Sequence, residues 1–548
     1  MTAWICSSKQ ALLRSEVRIL LSTMKLFIKK GIAWIKAGLF RSSKLKSSAY
    51  IAPKSVADRL LQSSYFPKQR TQADELPPVF DSKSFSHSVA TKFSGLGETK
   101  PKEGHDAVEV KLTRADGQTR VIHIPHPAAY AHLVLTLEKH WTKIPDISRN
   151  PHSYIKPRFH KDGRLIIMNY TNWLIKTLGG LKYKLSQGYV VHADISSFFP
   201  SIYTHAIAWA LVGIADAKKS NKKQWFDEID SAFQSARRKE TNGVSIGPAT
   251  SNIAAEIILI KVDEALSNKG YRFFRYIDDY TCYAKTREVA DSFVNDLSQQ
   301  LAKYKLSLNM KKTKIQPLPE PDKAPWVLEL QTLSRTLRNQ MAPSEVAQFI
   351  DNITGVAQRH EEQNVYKYAA VMLADRVSKP HASITAFVAL LGLCTHAPSL
   401  IATLRYFLPS TAEFQRHDLQ LSLLELLNDS ILFRRTDNIC WLLYYMHELG
   451  IVVDQKTAKK IIATRDCLPI LLVYAYGDLR SRQESVAFTK KAVLAPDKHD
   501  RHAYWLLIYE MFRIGAISKV GAEKQIFAMM KSEGVKFCTA LQQVDARN

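Results

Sequence analysis

The stretch Tyr271-Arg272-Phe273-Phe274-Arg275-Tyr276-Ile277-Asp278-Asp279-Tyr280-Thr281-Cys282-Tyr283 sets two adjacent carboxylates in the middle of an aromatic, β-prone run. Such a run with a polar centre reads as strand, turn, strand. The aspartates then lie at a hairpin tip, where charge is tolerable. Successive strand residues point to opposite faces, so a tight turn is needed to bring both carboxylates to one place. Two hard oxygen donors side by side suit a pair of Mg2+ ions. An ordinary acidic turn accounts for the same residues equally well, so the decision moves to the sequence upstream.

There, Tyr189-Val190-Val191-His192-Ala193 is a short buried-type strand that ends at Asp194 and runs into Ile195-Ser196-Ser197-Phe198-Phe199-Pro200. A carboxylate at a strand end is fixed by the strand, and the following loop can add a backbone carbonyl as ligand. Read alone, Asp194 serves equally as a helix cap. Between the two acidic sites, Gly243-Val244-Ser245-Ile246-Gly247-Pro248-Ala249-Thr250-Ser251-Asn252 leads into a long amphipathic helix, Ile253 to Leu266, with Ser and Thr available to cap it. Small residues at this turn let a base pair and sugar approach the backbone. After the aspartate pair come a helix from about Glu288 to Tyr304 and an Asn/Lys turn, Leu306 to Ile315, between short strands.

Further upstream, Val108 to Pro125 reads as a hairpin turning at Ala115-Asp116-Gly117, followed by a helix from about Ala128 to Thr142. Ser153 to Met168 reads as a second hairpin turning at Lys161-Asp162-Gly163. Lys156, Arg158, Lys161 and Arg164 give it a positive edge, suited either to holding a triphosphate or to protecting an edge strand. Ala206 to Ala236 reads as helical with a basic break around Lys218 to Lys223.

The 548 residues predict two or three domains, and a hydrophobic fraction of 46% is enough for a sizeable core. A net charge of +25 predicts a polyanionic partner, nucleic acid before anionic membrane. The cysteines at 6, 282, 394, 440, 467 and 538 form no C-x-x-C pair and read as core hydrophobes in a reducing cytosol. No apolar run is long enough for a transmembrane span. Ile19 to Phe40, interrupted by Lys25, Lys29, Lys30 and Lys36, is a basic amphipathic helix. It suits a membrane surface, a nucleic acid or an organellar transit segment, and Met24 is an alternative start. Ser42 to about Gly104 reads as an extended arm with short helical pieces.

The order is diagnostic: strand-end Asp194, the glycine turn into a helix, Tyr276-Ile277-Asp278-Asp279 on a hairpin, then Leu308-Asn309-Met310-Lys311-Lys312-Thr313-Lys314. Over roughly Lys156 to Ile315 the chain resembles a reverse transcriptase of the prokaryotic type. The resemblance implies metal binding by Asp194, Asp278 and Asp279, with the Ile195 carbonyl as a further ligand to two Mg2+ ions, Mn2+ being an alternative. It implies that Phe199 is the ring below the sugar that selects dNTPs, and that Gly247 touches the template–nucleotide pair. Arg164, with Lys156 or Arg158, matches the cationic fingers hairpin, and Lys312 or Lys314 the lysine that aids the departing pyrophosphate. Ser245 stands where the family often has Pro, and Ile246 where retroviral members have Gln.

Gly247 to Asn252 and Ala255-Glu256-Ile257 resemble abortive-infection and antiphage-defence reverse transcriptases, and so does a Gly-, Pro- and strand-poor tail from Val346. The apolar runs Ile384 to Leu393, Leu419 to Leu427, Cys440 to Leu449 and Tyr504 to Ile514 are spaced like a helical-repeat array. Trp441, Tyr444, Tyr445, Trp505 and Tyr509 are expected in its core. The predicted fold class is α+β: a right-hand polymerase with fingers and palm and an all-α, helical-repeat-like C-terminal domain. The expected divisions are 1–105 (basic helix and arm), 106–320 (fingers and palm) and 321–548 (thumb-like helical region).

The function implied is RNA-directed DNA synthesis in antiphage defence, in a bacterial cytoplasm. The partners implied are an RNA template (a noncoding RNA among the options), a DNA product, dNTPs, and a second copy or partner subunit. A template-independent or protein-primed polymerase fits the same motifs. An idle RNA-binding scaffold fits less well with three intact aspartates, and an intron maturase less well with the long helical tail.

Overall fold

The motif residues are carried by a four-stranded antiparallel sheet in the order β4-β5-β3-β6. Its strands are β3 (Tyr189–Asp194), β4 (Arg272–Tyr276), β5 (Asp279–Ala284) and β6 (Lys314–Pro317). A separate hairpin pairs β1 (Ala107–Thr113) with β2 (Thr119–Pro125). The computed structural model describes residues 52–67, 75–93, 96, 103–167, 180–221, 223–335, 337–377, 379–409 and 416–541. The basic segment Ile19 to Phe40 and Cys6 lie outside the described residues.

The sheet registers follow from period-2 patterning. Asp194 faces Asp279, His192 faces Thr281 and Val190 faces Tyr283 across β3 and β5. Tyr276, Phe274 and Arg272 continue these rows on β4. One face of the sheet therefore carries the carboxylates, the buried rings of Phe274 and Tyr283 and the half-buried ring of Tyr276, with Tyr154 stacked on Tyr276 at 5.1 Å. The other face carries Val191, Ala193, Phe273, Arg275, Tyr280 and Cys282, all buried. Two helices lie near that face, α3 (Ala249–Asn268) and α4 (Arg287–Ala302). Phe293 of α4 packs 6.1 Å from Phe273. Thr286 caps α4 by accepting a hydrogen bond from the Val289 amide.

Helix α3 departs from expectation in two ways. It is buried nearly all round, Glu256 and Asp263 included, where an amphipathic helix was predicted. The reason is a buried cation opposite those acids, described below. Its start has no Ser or Thr side-chain cap: Pro248 is the N-cap, the Ala249 amide donates to the Ser64 carbonyl at 2.9 Å, and the Ser251 hydroxyl turns back to the Ser245 carbonyl. A distant backbone carbonyl thus satisfies a helix-end donor.

The predicted helix at 128–142 is α2 (Pro127–His140), closed by a short 3-10 turn. The segment 206–236 is three helices, His205–Val212, Ile214–Lys219 and Trp225–Ser235, broken near the basic run. The expected hairpin from Ser153 is only partly formed. The Arg158 amide donates to Leu165 and the His160 amide to Arg164, around the turn at Gly163, without regular strands. Met168 lies outside the described residues.

The arm does contain short helices, α1 (Pro53–Gln62) and His87–Lys92. It wraps this chain's own body: Tyr65 stacks on Tyr130 of α2 at 4.1 Å. Phe80 bridges to Cys538, and the Thr539 amide donates to the Val79 carbonyl at 2.8 Å. The C-terminal half is helical, and Trp441, Tyr445, Trp505 and Tyr509 are buried in its core as expected, while Tyr444 is half-buried. Trp505 donates its indole N–H to the Ile124 carbonyl at 3.1 Å, tying this half to β2. Asp437 accepts from the Thr113 amide at 2.8 Å and hydroxyl at 2.7 Å, and Asp466 from Lys111 at 3.0 Å, tying it to β1. Residues 53–548 cluster as one unit. The cysteines at 282, 394, 440, 467 and 538 are buried free thiols. No helix among the described residues is long and apolar enough to cross a membrane.

Candidate functional site

β4 and β5 pair up to Tyr276 and Asp279, leaving Ile277 and Asp278 as a two-residue turn. Ile277 takes φ +56, the left-handed geometry that tight hairpins need at their first central position. A β-branched residue there is a genuine outlier. The turn sets Asp278 beside Asp279, and the register sets Asp279 against Asp194. Asp278 and Asp194 are half-buried, and Asp279 is exposed.

The electrostatics follow from that crowding. Desolvation on the inner side of Asp279, whose outer edge is exposed, then the charges of Asp278 and Asp194 and a hydrogen bond with Asp194, raises its carboxyl to about 7. Burial and, more weakly, Asp194 raise Asp278 to about 6, with Lys312 and Arg120 opposing. Two or three carboxylates in one place resist full ionisation until positive charge arrives. Lys312 supplies some, its ammonium lying 3.3 Å from the Asp194 carboxylate. The structure thus separates the two lysines: Lys312 reaches the acidic centre, and Lys314 lies on β6 opposite His192.

The donors suit a hard divalent ion in type and in excess negative charge. Among the described residues, however, no three acidic, His or Cys side chains are drawn together closely enough to form a ready ligand set. Asp194 and Asp279 make the tight pair, with Asp278 the third acid within electrostatic reach. Ile195 follows directly and bridges to Leu308; the Asn309 amide donates to the Asp194 carbonyl at 2.7 Å and the Ser196 amide to Ser307 at 2.9 Å.

Phe199 sits in the short helix Phe198–Ser201, its ring almost buried and 5.2 Å from Phe198. Its carbonyl accepts the Val244 amide at 3.0 Å, which joins this helix to the glycine turn. Gly247 has φ +128, and a Cβ there would meet the His123 carbonyl at 3.1 Å. The neighbouring Ile246 carbonyl accepts the His123 amide at 2.7 Å, so the turn is clipped onto β2.

The cations of the 153–167 loop are engaged locally. Lys156 donates to the Asn150 carbonyl, and burial lowers its pKa. Arg158 donates to the Tyr154 carbonyl at 2.7 Å, and Arg164 forks onto Asp162 at 2.6 and 2.9 Å. None of these bonds goes to Asp194, Asp278 or Asp279.

Two residues near the centre escaped the sequence reading. Arg120 of β2 acts electrostatically on Asp278 across a sequence distance that no local pattern encodes. Arg275 is fully buried beneath the turn. Its signal was present: a charge at an inward position of a strand, flanked by Phe274 and Tyr276.

Residues 134–320 match the family model for reverse transcriptase (RNA-dependent DNA polymerase), a span that holds all three aspartates, Lys312 and the sheet. No curated protein matches the chain. Among solved structures, apo telomerase from Candida tropicalis is similar at 12% identity and TM-score 0.31, over 79% of this chain and 76% of that one. A form truncated from its C-terminal domain gives 15% and 0.28, over 44% of this chain; the chain spans only 57% of that protein's length. Telomerase from Candida albicans, in complex with a TWJ fragment of telomeric RNA, gives 10% and 0.28, over 69% and 65%. These likenesses are remote, and the assignment rests on the matched segment and its geometry. The fold is α+β, a right-hand polymerase with a helical C-terminal half, and residues 134–320 are the domain of an RNA-directed DNA polymerase, a nucleotidyltransferase.

Proposed function

We propose that the whole chain is a reverse transcriptase of the prokaryotic, defence-associated kind, extending a primer with dNTPs on an RNA template. The observation that carries this reading is the register that sets Asp194 against Asp279 with Asp278 in the adjoining turn. In this reading Asp194, Asp278, Asp279 and the Ile195 carbonyl hold divalent cations. Mg2+ bound there, or Mn2+ in its stead, would lower the pKa of the attacking 3′-hydroxyl and stabilise charge on the leaving pyrophosphate. Lys312, already beside Asp194, is placed to offset charge on the leaving group once a cation displaces it from the carboxylate. Phe199 closes the space below the sugar against a 2′-hydroxyl, and the glycine turn lets the nascent base pair approach the backbone at Gly247. Lys156, Arg158 and Arg164 grip the triphosphate only after leaving their present partners, so a fingers movement accompanies nucleotide binding in this scheme.

The surplus of cations, +25, suits RNA and DNA phosphates. Support for an antiphage role, in a bacterial cytoplasm, comes from Gly247 to Asn252, from Ala255 to Ile257 and from the helical C-terminal half. A primer-extension assay with Mg2+ tests the reaction. Wild type should incorporate dNTPs, and Asp279→Asn should fall to background while remaining folded. Normal extension by that variant would overturn the reading. Product sequencing with and without added RNA separates templated from untemplated synthesis. A phage-plating assay with the same variant tests the defence role.

A further inference from the structure

Arg275 lies one residue before the Tyr-Ile-Asp-Asp turn, and none of its side chain is exposed to solvent. A buried guanidinium persists only when its donors are all met. Here Nε donates to Asp263 at 2.9 and 3.2 Å, Nη1 to Glu256 Oε1 at 2.7 Å, and Nη2 to Glu256 Oε2 at 2.9 Å. Burial works against the charge, but Asp263 and Glu256 outweigh it and hold Arg275 protonated. The two acids sit two turns apart on α3 and are themselves supported. Tyr280 and Asn150 donate to Asp263 at 2.9 and 2.7 Å, and Ser153 to Glu256 at 3.0 Å. The Arg275 backbone is pinned as well, accepting from the Tyr154 amide at 3.0 Å and donating to the His152 carbonyl at 2.8 Å.

One further bond does not belong to a simple ion pair. Arg275 Nη1 also donates to the Ile277 carbonyl at 2.9 Å. That carbonyl belongs to the peptide unit leading into Asp278, and Ile277 is the residue held at φ +56. We propose that Arg275 is a positioning residue: braced by Glu256 and Asp263, it locks the Ile277–Asp278 peptide plane and so fixes where Asp278 and Asp279 present their carboxylates. The inference rests on reading those aspartates as the reaction centre. A planar fork can meet two carboxylates and a carbonyl at once, whereas an ammonium is a single point charge. The role therefore requires arginine and not merely a cation.

The test is Arg275→Lys in the full-length chain, compared with wild type and Asp279→Asn by thermal melt, hydrogen exchange and steady-state primer extension. The variant should melt cooperatively. Amide exchange should speed up in the 276–280 turn and stay unchanged in α4. kcat should fall about 10²-fold, as expected for misplaced reacting groups, with the KM for dNTP within about twofold. Unchanged turn exchange, or a rate loss that only tracks the folded fraction, would overturn the proposal. Should the lysine variant not fold, Glu256→Gln keeps the side-chain volume and weakens the brace from one side. It should show the same exchange pattern and a smaller kcat loss, and wild-type behaviour in both would equally overturn the proposal. Exchange is read without turnover. A wild type lacking dNTP incorporation therefore sinks the polymerase reading, while the exchange data still decide whether Arg275 holds the turn.

Discussion

Asp279 and Asp278 hold their protons to about 7 and about 6, because burial and mutual repulsion oppose their ionisation. In an unfolded chain each would titrate near 3.9. The folded state therefore binds more protons than the unfolded state between those values. Stability from this source is complete below about pH 4 and is lost as pH rises through about 6 to 7. Metal-free protein should show this as a melting temperature, relative to an Asp278→Asn, Asp279→Asn double variant, that drops between about pH 4 and about pH 7. Added Mg2+ at the upper pH should restore wild type and leave the double variant unmoved. Equal pH dependence of the two proteins in a chelator would show that the carboxylates do not repel as the geometry requires. Asp279 is exposed, so solvent screening trims the size of the effect without changing its sign.

At the scale of elements, the turn at Gly247 joins the matched domain to a hairpin outside it. Its φ of +128 strains any residue with a side chain, and a Cβ would meet the His123 carbonyl at 3.1 Å, tighter than ordinary contact. Gly247→Ala should cost about 1–3 kcal/mol in a urea titration, the range for one strained backbone position. It should also raise the KM for dNTP, because the turn must shift against β2 to fit the methyl group. An unchanged midpoint would mean that the turn is looser than its contacts imply. β3, the β4–β5 hairpin, α4 and the Asn309 turn were all legible in the sequence, because each is written in local periodicity and turn chemistry. The placing of Asp194 against Asp279 was legible from motif order, since strand registers convert that order into proximity. Local pattern failed where a distant partner decides the outcome. The start of α3 is capped by Ser64 rather than by its own Ser or Thr, and its acids face inward because Arg275 awaits them. Arg120 likewise reaches the centre from an element far away in the chain.

Across the whole molecule, the arm and β1–β2 close onto the C-terminal helices, and three imidazoles sit in that closure. His105, His126 and His502 are almost fully buried, with ring centroids 4.5, 4.8 and 5.0 Å apart. His502 accepts the Asp106 amide at 3.3 Å on Nδ1 and faces Glu523 at 3.1 Å through Nε2. Burial first, and neighbouring imidazoles next, push the pKa values of His105 and His126 well below the usual histidine range. Unfolding exposes these rings to water, where they protonate near 6.5. The unfolded state then binds more protons, so stability from this source is complete above about pH 6.5 and is lost as pH falls. Each ring contributes a slope of up to about 1.4 kcal/mol per pH unit. This limb runs opposite to that of the aspartates, and the Asp278→Asn, Asp279→Asn background removes theirs; His123, lowered by desolvation to about 4, adds to the same limb in every variant. Urea midpoints in that background should decline steadily from about pH 7 to about pH 5. Replacing His105, whose ring makes no hydrogen bond to a helix end, by Phe should flatten the decline. A decline of undiminished slope in His105→Phe would place the acid sensitivity elsewhere in the fold.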